Sequence, residues 1–127
     1  MLKIDGYLIA KKKLQKSDLL EEDVKYYMQM IQDICKKNNI RLFVVIFPYL
    51  KPLKEYQDYQ INQYQAIYKV IKNLNVDYVN LYEYLPEKEL YSLRNRKDDE
   101  MHPSKDGHIL MEKIIYNHLL KKYFNNK

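Results

Sequence analysis

Hydrophobic residues recur at three- and four-residue steps in three segments of the chain, which is the spacing of an amphipathic helix. The first segment follows Ser17 and Asp18, either of which can cap a helix, and it ends at Lys36-Lys37-Asn38-Asn39. Its apolar positions form one stripe, made of Leu20, Val24, Tyr27, Met28, Ile31, Ile34 and Cys35. The pattern therefore predicts a long helix that buries one face.

Two apolar runs between the helical segments predict strands. Leu42–Pro48 is continuous, β-branched and aromatic, as in a parallel strand that is covered on both faces. Val76–Tyr82 is a weaker second strand. A second helix lies between the two strands, with Tyr64, Ile67, Ile71 and Leu74 on its apolar face. A third helix follows, from about Ser104 to Tyr123, with Leu110, Met111, Ile114, Ile115 and Leu119 facing inward.

The alternation of helices and strands predicts an α/β fold with a parallel sheet and a right-handed crossover. Two strands are few for such a sheet, because each would leave one edge open and the core would be thin. Either Lys3–Ala10 contributes a third strand or the remaining strands come from elsewhere. We interpret the chain as part of a larger sheet.

Length and composition exclude several classes of protein. The chain has 127 residues, enough for one domain or a piece of one, and no apolar run approaches the roughly 20 residues that cross a bilayer. Its two glycines, Gly6 and Gly107, cannot form a P-loop or a dinucleotide-binding fingerprint. Its one cysteine, Cys35, allows neither an internal disulfide nor a thiolate metal cluster. No cofactor is expected.

The positive charge is concentrated at the N-terminus. The chain carries a net charge of +5, and residues 1–16 hold five lysines against one aspartate. Residues 17–127 are nearly neutral, so the folded part lacks the basic face that nucleic acid would require. We interpret residues 1–16 as a basic arm or a leftover strand, and residues 17–127 as the folded segment. No nucleic-acid partner is expected.

One polar segment before the last helix carries candidate catalytic residues. Asp99 and His102 are three residues apart, so on a tight loop the carboxylate can reach one imidazole nitrogen and leave the other as a base. Ser104 is placed to cap the following helix, and Gly107 permits a close approach in its first turn. A polar loop histidine without catalytic function is the alternative interpretation of His102 alone.

The block resembles the last conserved block of the SGNH (GDSL-type) hydrolases, through Asp99, His102, Pro103, Ser104, Gly107 and His108. Residues 39–48 and 76–81 are similar to the last two strands of those enzymes. The resemblance implies a three-layer α/β/α sandwich with a flavodoxin-like parallel sheet, of which only the C-terminal part is present. It also implies serine-dependent ester hydrolysis or acyl transfer, with His102 as general base and Asp99 as its orienting residue.

The serine block of that family is absent from these residues. The chain has three serines, Ser17, Ser92 and Ser104, and none stands in a Gly-Asp-Ser sequence. We therefore expect the isolated chain to be inactive and its N-terminal half to be missing. Cys35 is an alternative nucleophile, but its position on an apolar stripe favours a buried structural thiol.

The resemblance is closest to bacterial members that act on cell-envelope polysaccharide esters, so an ester substrate of that kind and an envelope association are its implied partner and location. Localisation stays open, because no signal peptide or membrane segment occurs in the chain. A second hypothesis is a catalytically dead interaction module that binds a partner, or a second copy, through its sheet edge. A third is a zinc site in residues 98–108, although His102 and His108 are poorly spaced for it.

Overall fold

The computed structural model describes residues 16–125, with side chains from Leu20 onward. Its helices and strands are α1 (Lys16–Lys37), β1 (Phe43–Ile46), α2 (Asp58–Asn73), β2 (Asp77–Asn80), α3 (Lys105–Ile115) and α4 (Lys121–Phe124). One π-helical turn, Tyr116–Leu120, joins α3 to α4. The predicted α/β order of helix, strand, helix, strand and helix is confirmed. None of the helices in residues 16–125 is long and apolar enough to span a membrane.

The two strands form a parallel pair in which Phe43 lies beside Asp77 and Ile46 beside Asn80. Helix α2 is the crossover between them, as the alternation of elements predicts. Within residues 16–125, β1 pairs only with β2, so its other edge is open. The predicted cover of β1 is partial in this part of the chain, because Ile46 is buried and the other three strand residues are half-buried. The third strand proposed for Lys3–Ala10 and the basic arm before Lys16 lie outside the described residues.

Helix α1 packs against α2. Gln32 Nε2 donates a hydrogen bond to the Asn75 carbonyl at 3.0 Å, and Lys69 forms an ion pair with Glu21 at the same interface. The helix begins at Lys16, so Ser17 lies within its first turn and is not the predicted N-cap. At its other end Asn39 takes a left-handed conformation with φ of 55°, which ends the helix.

The predicted apolar stripe of α1 is only partly buried. Four large apolar residues on this helix are exposed: Tyr27, Met30, Ile31 and Ile34. Met30 is outside the predicted stripe, so the prediction of one buried face is wrong for three of its seven residues, Tyr27, Ile31 and Ile34. The reason is geometric, since α2 covers one side of α1 and no described element covers the other.

The hydrophobic core lies between the sheet, the segment after β2 and helix α3. Two short 3-10 helices contribute buried residues to this region, at Leu81–Glu83 and Glu87–Leu93, and a third, Leu53–Glu55, has none. The buried core residues are Leu50, Val79, Leu81, Leu85, Leu90, Leu93, Met111, Ile114 and Leu119. Helix α3 thus buries the face that its spacing predicts, and this packing fixes the start of α3 against the end of the sheet.

Candidate active site

A closed loop lies between the segment 87–93 and helix α3. The Asn95 amide donates a hydrogen bond to the His102 carbonyl at 2.9 Å, and the Ser104 amide donates to the Leu93 carbonyl at 2.7 Å. Arg94 and Pro103 form an antiparallel bridge between these two bonds. The loop is therefore clamped at its base, which fixes the direction in which its tip projects.

Asp99 and His102 contact each other across this loop. His102 Nδ1 lies 2.8 Å from Asp99 Oδ2 and 3.0 Å from Oδ1. A carboxylate can only accept hydrogen bonds, so this contact places the imidazole proton on Nδ1. His102 Nε2 is then free to accept a proton, and it has no hydrogen-bond partner among the described residues. The expected contact between the two side chains is present, whereas their catalytic role stays a prediction.

The Asp99 carboxylate is oriented by backbone amides as well as by the histidine. The amides of Met101 and His102 each donate to Oδ1 at 3.1 Å. The Met101 amide, together with His102, holds the pKa of Asp99 below its ordinary value. The side chain of Asp99 is 15% exposed and that of His102 is 74% exposed. The carboxylate is therefore held ionised inside the loop, while the imidazole faces solvent.

Ser104 and Gly107 fix the start of α3 beside the histidine. Ser104 Oγ accepts a hydrogen bond from the Gly107 amide at 3.1 Å, so Ser104 is the helix cap that the sequence predicts. A Cβ atom on Gly107 would lie 2.7 Å from the Leu93 carbonyl oxygen and 3.0 Å from Pro103 Cβ. Gly107 thus permits the close approach that the sequence predicts, and this approach brings the loop onto the helix.

The loop is also anchored by an ion pair between a buried lysine and a half-buried glutamate, which the sequence pattern does not indicate. Lys51 Nζ lies 2.7 Å from Glu100 Oε2, and Gln60 Nε2 donates to Glu100 Oε1 at 2.6 Å. Lys51, followed by Gln60, holds the pKa of Glu100 below its ordinary value. The partners are about 40 and 50 positions apart along the chain, so no local spacing could have indicated the contact. The only signal in the sequence is a lysine five residues after the end of β1.

An aromatic pocket lies between the end of β1 and helix α2, beside the same loop. Its volume is about 190 Å³, and its walls include Phe47, Tyr49, Tyr56, Tyr64 and Met101. The Tyr49 hydroxyl donates to Gln63 Oε1 at 2.9 Å, and the Tyr56 hydroxyl donates to the Tyr49 carbonyl at 3.1 Å. Met101 directly precedes His102, so the pocket adjoins the histidine loop.

Of the other candidate nucleophiles, the structure describes the side chains of Ser92 and Cys35. Ser92 Oγ donates to the Glu89 carbonyl at 2.7 Å within a 3-10 helix. Cys35 is half-buried on α1, and the side chain of Ser17 lies outside the described residues. His108 is exposed on α3. In the part of the chain that the structure describes, no group of three or more side chains is arranged to hold a metal ion, which counts against the zinc hypothesis.

Comparisons of the chain with models of protein families, with curated proteins and with solved structures found no match. Function must therefore be inferred from the geometry of the site. That geometry consists of an oriented imidazole, an ionised carboxylate behind it and an apolar pocket alongside.

Proposed function

We propose that the chain is the C-terminal segment of an SGNH/GDSL-type serine ester hydrolase or O-acyltransferase. The observation that supports this proposal is the contact of 2.8 Å between Asp99 Oδ2 and His102 Nδ1, at the start of α3. The loop that carries the pair meets the C-terminal end of the sheet, because the Leu50 amide, just after β1, donates to the Glu100 carbonyl at 2.7 Å. Sites in parallel α/β sheets form at this end of the strands.

The proposed roles follow from the orientation of the imidazole. His102 Nε2 accepts the proton of a serine hydroxyl as the serine oxygen attacks the ester carbonyl carbon. Nε2 then gives the proton to the leaving oxygen as the ester C–O bond breaks, which leaves the acyl group on serine. Water or an acceptor hydroxyl releases the acyl group by the same two proton transfers. Asp99 keeps the proton on Nδ1 and stabilises the imidazolium.

The three-layer sandwich with a flavodoxin-like sheet is part of the same proposal. The open edge of β1 and the exposed apolar face of α1 support it, because an additional parallel strand and its helices would cover both. In this interpretation the serine and the first strands belong to a segment upstream of the chain. The substrate is an ester, and cell-envelope carbohydrate esters are the class that the sequence resemblance suggests.

The coding DNA upstream of the Met1 codon provides the most direct test. We expect an open reading frame that continues upstream into a Gly-Asp-Ser block, whose serine should react with a fluorophosphonate probe in the complete protein. A stop codon directly upstream, with no such block in any frame, would contradict the hydrolase proposal.

A second function is supported by a different observation. Tyr27, Met30, Ile31 and Ile34 expose apolar surface on α1, and β1 has an unpaired edge on the described part of the sheet. Exposed apolar residues and an unpaired strand edge are each typical of surfaces that bind another polypeptide. The alternative is therefore an interaction module that binds a partner or a second copy through this surface.

Sedimentation of the isolated chain tests the alternative. We expect self-association that is abolished in the double variant Ile31→Glu/Ile34→Glu, because charges on the exposed face of α1 oppose its burial. Gln29→Glu, at an exposed polar position on the same helix, is the matched control and should associate like the unaltered chain. A chain that is monomeric at every concentration, with or without the substitutions, would contradict self-association through α1.

A further inference from the structure

We propose that Lys51 and Glu100 are positioning residues, which together hold the Asp99 carboxylate against His102. This inference rests on the proposed function, in which His102 is the general base. Glu100 lies between the two residues of the pair in the chain, and neither Lys51 nor Glu100 touches the imidazole. Their effect would therefore be exerted through the backbone of the loop.

The first support is the complete engagement of the Glu100 side chain. One carboxylate oxygen contacts Lys51 at 2.7 Å, and the other accepts from Gln60 at 2.6 Å. Lys51 is 8% exposed and Gln60 is fully buried, whereas the Glu100 side chain is 31% exposed. Charge-assisted contacts to two buried partners hold a side chain more firmly than contacts to exposed ones.

The backbone of Glu100 is held as well. Its carbonyl accepts from the Leu50 amide at 2.7 Å, and the Leu50 carbonyl accepts from Arg94 Nε at 2.9 Å. Gln60 Oε1 also accepts from the Gln57 amide at 3.0 Å, as part of the capping box of α2. Glu100 therefore connects three parts of the molecule: the segment after β1, the first turn of α2 and the histidine loop.

The Asp99–His102 contact needs such support. An ion pair or hydrogen bond with an exposed partner is weak, because ordering the side chains costs entropy and water competes for both groups. The His102 side chain is 74% exposed, so the orientation of the pair cannot come from packing around the imidazole. It comes from the Met101 and His102 amides that hold Asp99 Oδ1, and their direction depends on the backbone conformation at Glu100.

The tautomer of the neutral His102 imidazole reports this positioning directly. Nitrogen-15 NMR of the isolated chain, above the pH at which its histidines are charged, distinguishes a proton on Nδ1 from one on Nε2. In Lys51→Met and in Glu100→Gln we expect the ratio of the Nδ1–H to the Nε2–H form of His102 to fall at least about fivefold. Lys51→Arg keeps the positive charge, so its tautomer ratio should equal that of the unaltered chain.

Two comparisons separate positioning from a general loss of stability. Glu21→Gln breaks the other Lys–Glu pair, between α1 and α2, and should leave the His102 tautomer unchanged. The double variant Lys51→Met/Glu100→Gln leaves no unpaired buried charge, so it should fold even if a single variant does not. We expect the double variant to show the same loss of the Nδ1–H form.

An unchanged tautomer ratio in a folded double variant would overturn the positioning role, and so would an equal change in Glu21→Gln. Neither outcome depends on the hydrolase proposal, because the NMR measurement needs no substrate. Conversely, an upstream frame without a serine block would remove the proposed reaction and leave the measured positioning of His102 intact.

Discussion

In the complete serine hydrolase that we propose, replacement of His102 with alanine should lower ester hydrolysis at least about a thousandfold. Asp99 contacts His102 Nδ1, which leaves Nε2 to accept the serine proton in the proposed reaction. Without it, the serine hydroxyl stays protonated and attacks slowly. The measurement is kcat/KM for p-nitrophenyl acetate, with the serine-to-alanine variant as the reference for complete loss.

His118→Ala is the matched control for this experiment. His118 lies on the π-helical turn after α3 and stacks on Tyr84, with 3.8 Å between the ring centroids. It has no contact with Asp99, so its removal should leave kcat/KM within about twofold. Full activity of the His102→Ala protein, or equal losses in both variants, would contradict the role of His102 as general base.

Gly107→Val should lower the free energy of unfolding by about 3 kcal/mol, as expected for overpacking against backbone. The new Cβ would lie 2.7 Å from the Leu93 carbonyl oxygen, which already accepts a hydrogen bond from Ser104 and cannot move away freely. Gly107→Ala should also destabilise the protein, by about 1 kcal/mol, although alanine is the better helix former. Urea denaturation of the isolated chain measures both changes.

Lys113→Val tests whether a valine in α3, without a clash, is enough to lower the free energy of unfolding. Lys113 is exposed on the same helix, so this substitution adds a β-branched residue without a clash and should cost less than about 0.7 kcal/mol. If Gly107→Val is no more destabilising than Lys113→Val, the start of α3 can relax away from Leu93, and the tight packing of the loop is not required.

Most elements of the fold follow from local periodicity. The spacing of apolar residues predicted α1, α2 and α3, and the two apolar runs predicted β1 and β2. Ser104 and Gly107 were also predictable, because capping and close approach are local properties of a helix terminus. The Asp99–His102 contact belongs to the same class, since both side chains lie on one short loop.

The errors concern how elements meet. The periodicity of α1 identified an apolar stripe correctly, but it could not show that α2 covers only one side and leaves Ile31 and Ile34 exposed. The composition of β1 indicated a strand with two neighbours; among the described residues it pairs with β2, and the strand expected from Lys3–Ala10 lies outside them, so that prediction is untested. Both patterns indicate what a segment is able to bury and carry no information about which neighbour is present.

Local sequence was thus sufficient for the α/β order and for the pairing of Asp99 with His102, because each depends on residues that are near one another in the chain. The parallel crossover followed from the order of the elements. The tertiary structure was required for the anchoring of that pair by Lys51, Gln60 and Glu100. Lys51 and Gln60 lie about 50 and 40 positions before Glu100, and a contact of this kind arises only when the packing of β1, α2 and the loop brings the charges together. That packing buries Lys51 and Gln60 around the Glu100 carboxylate, which is why the contact can hold the loop that carries the imidazole.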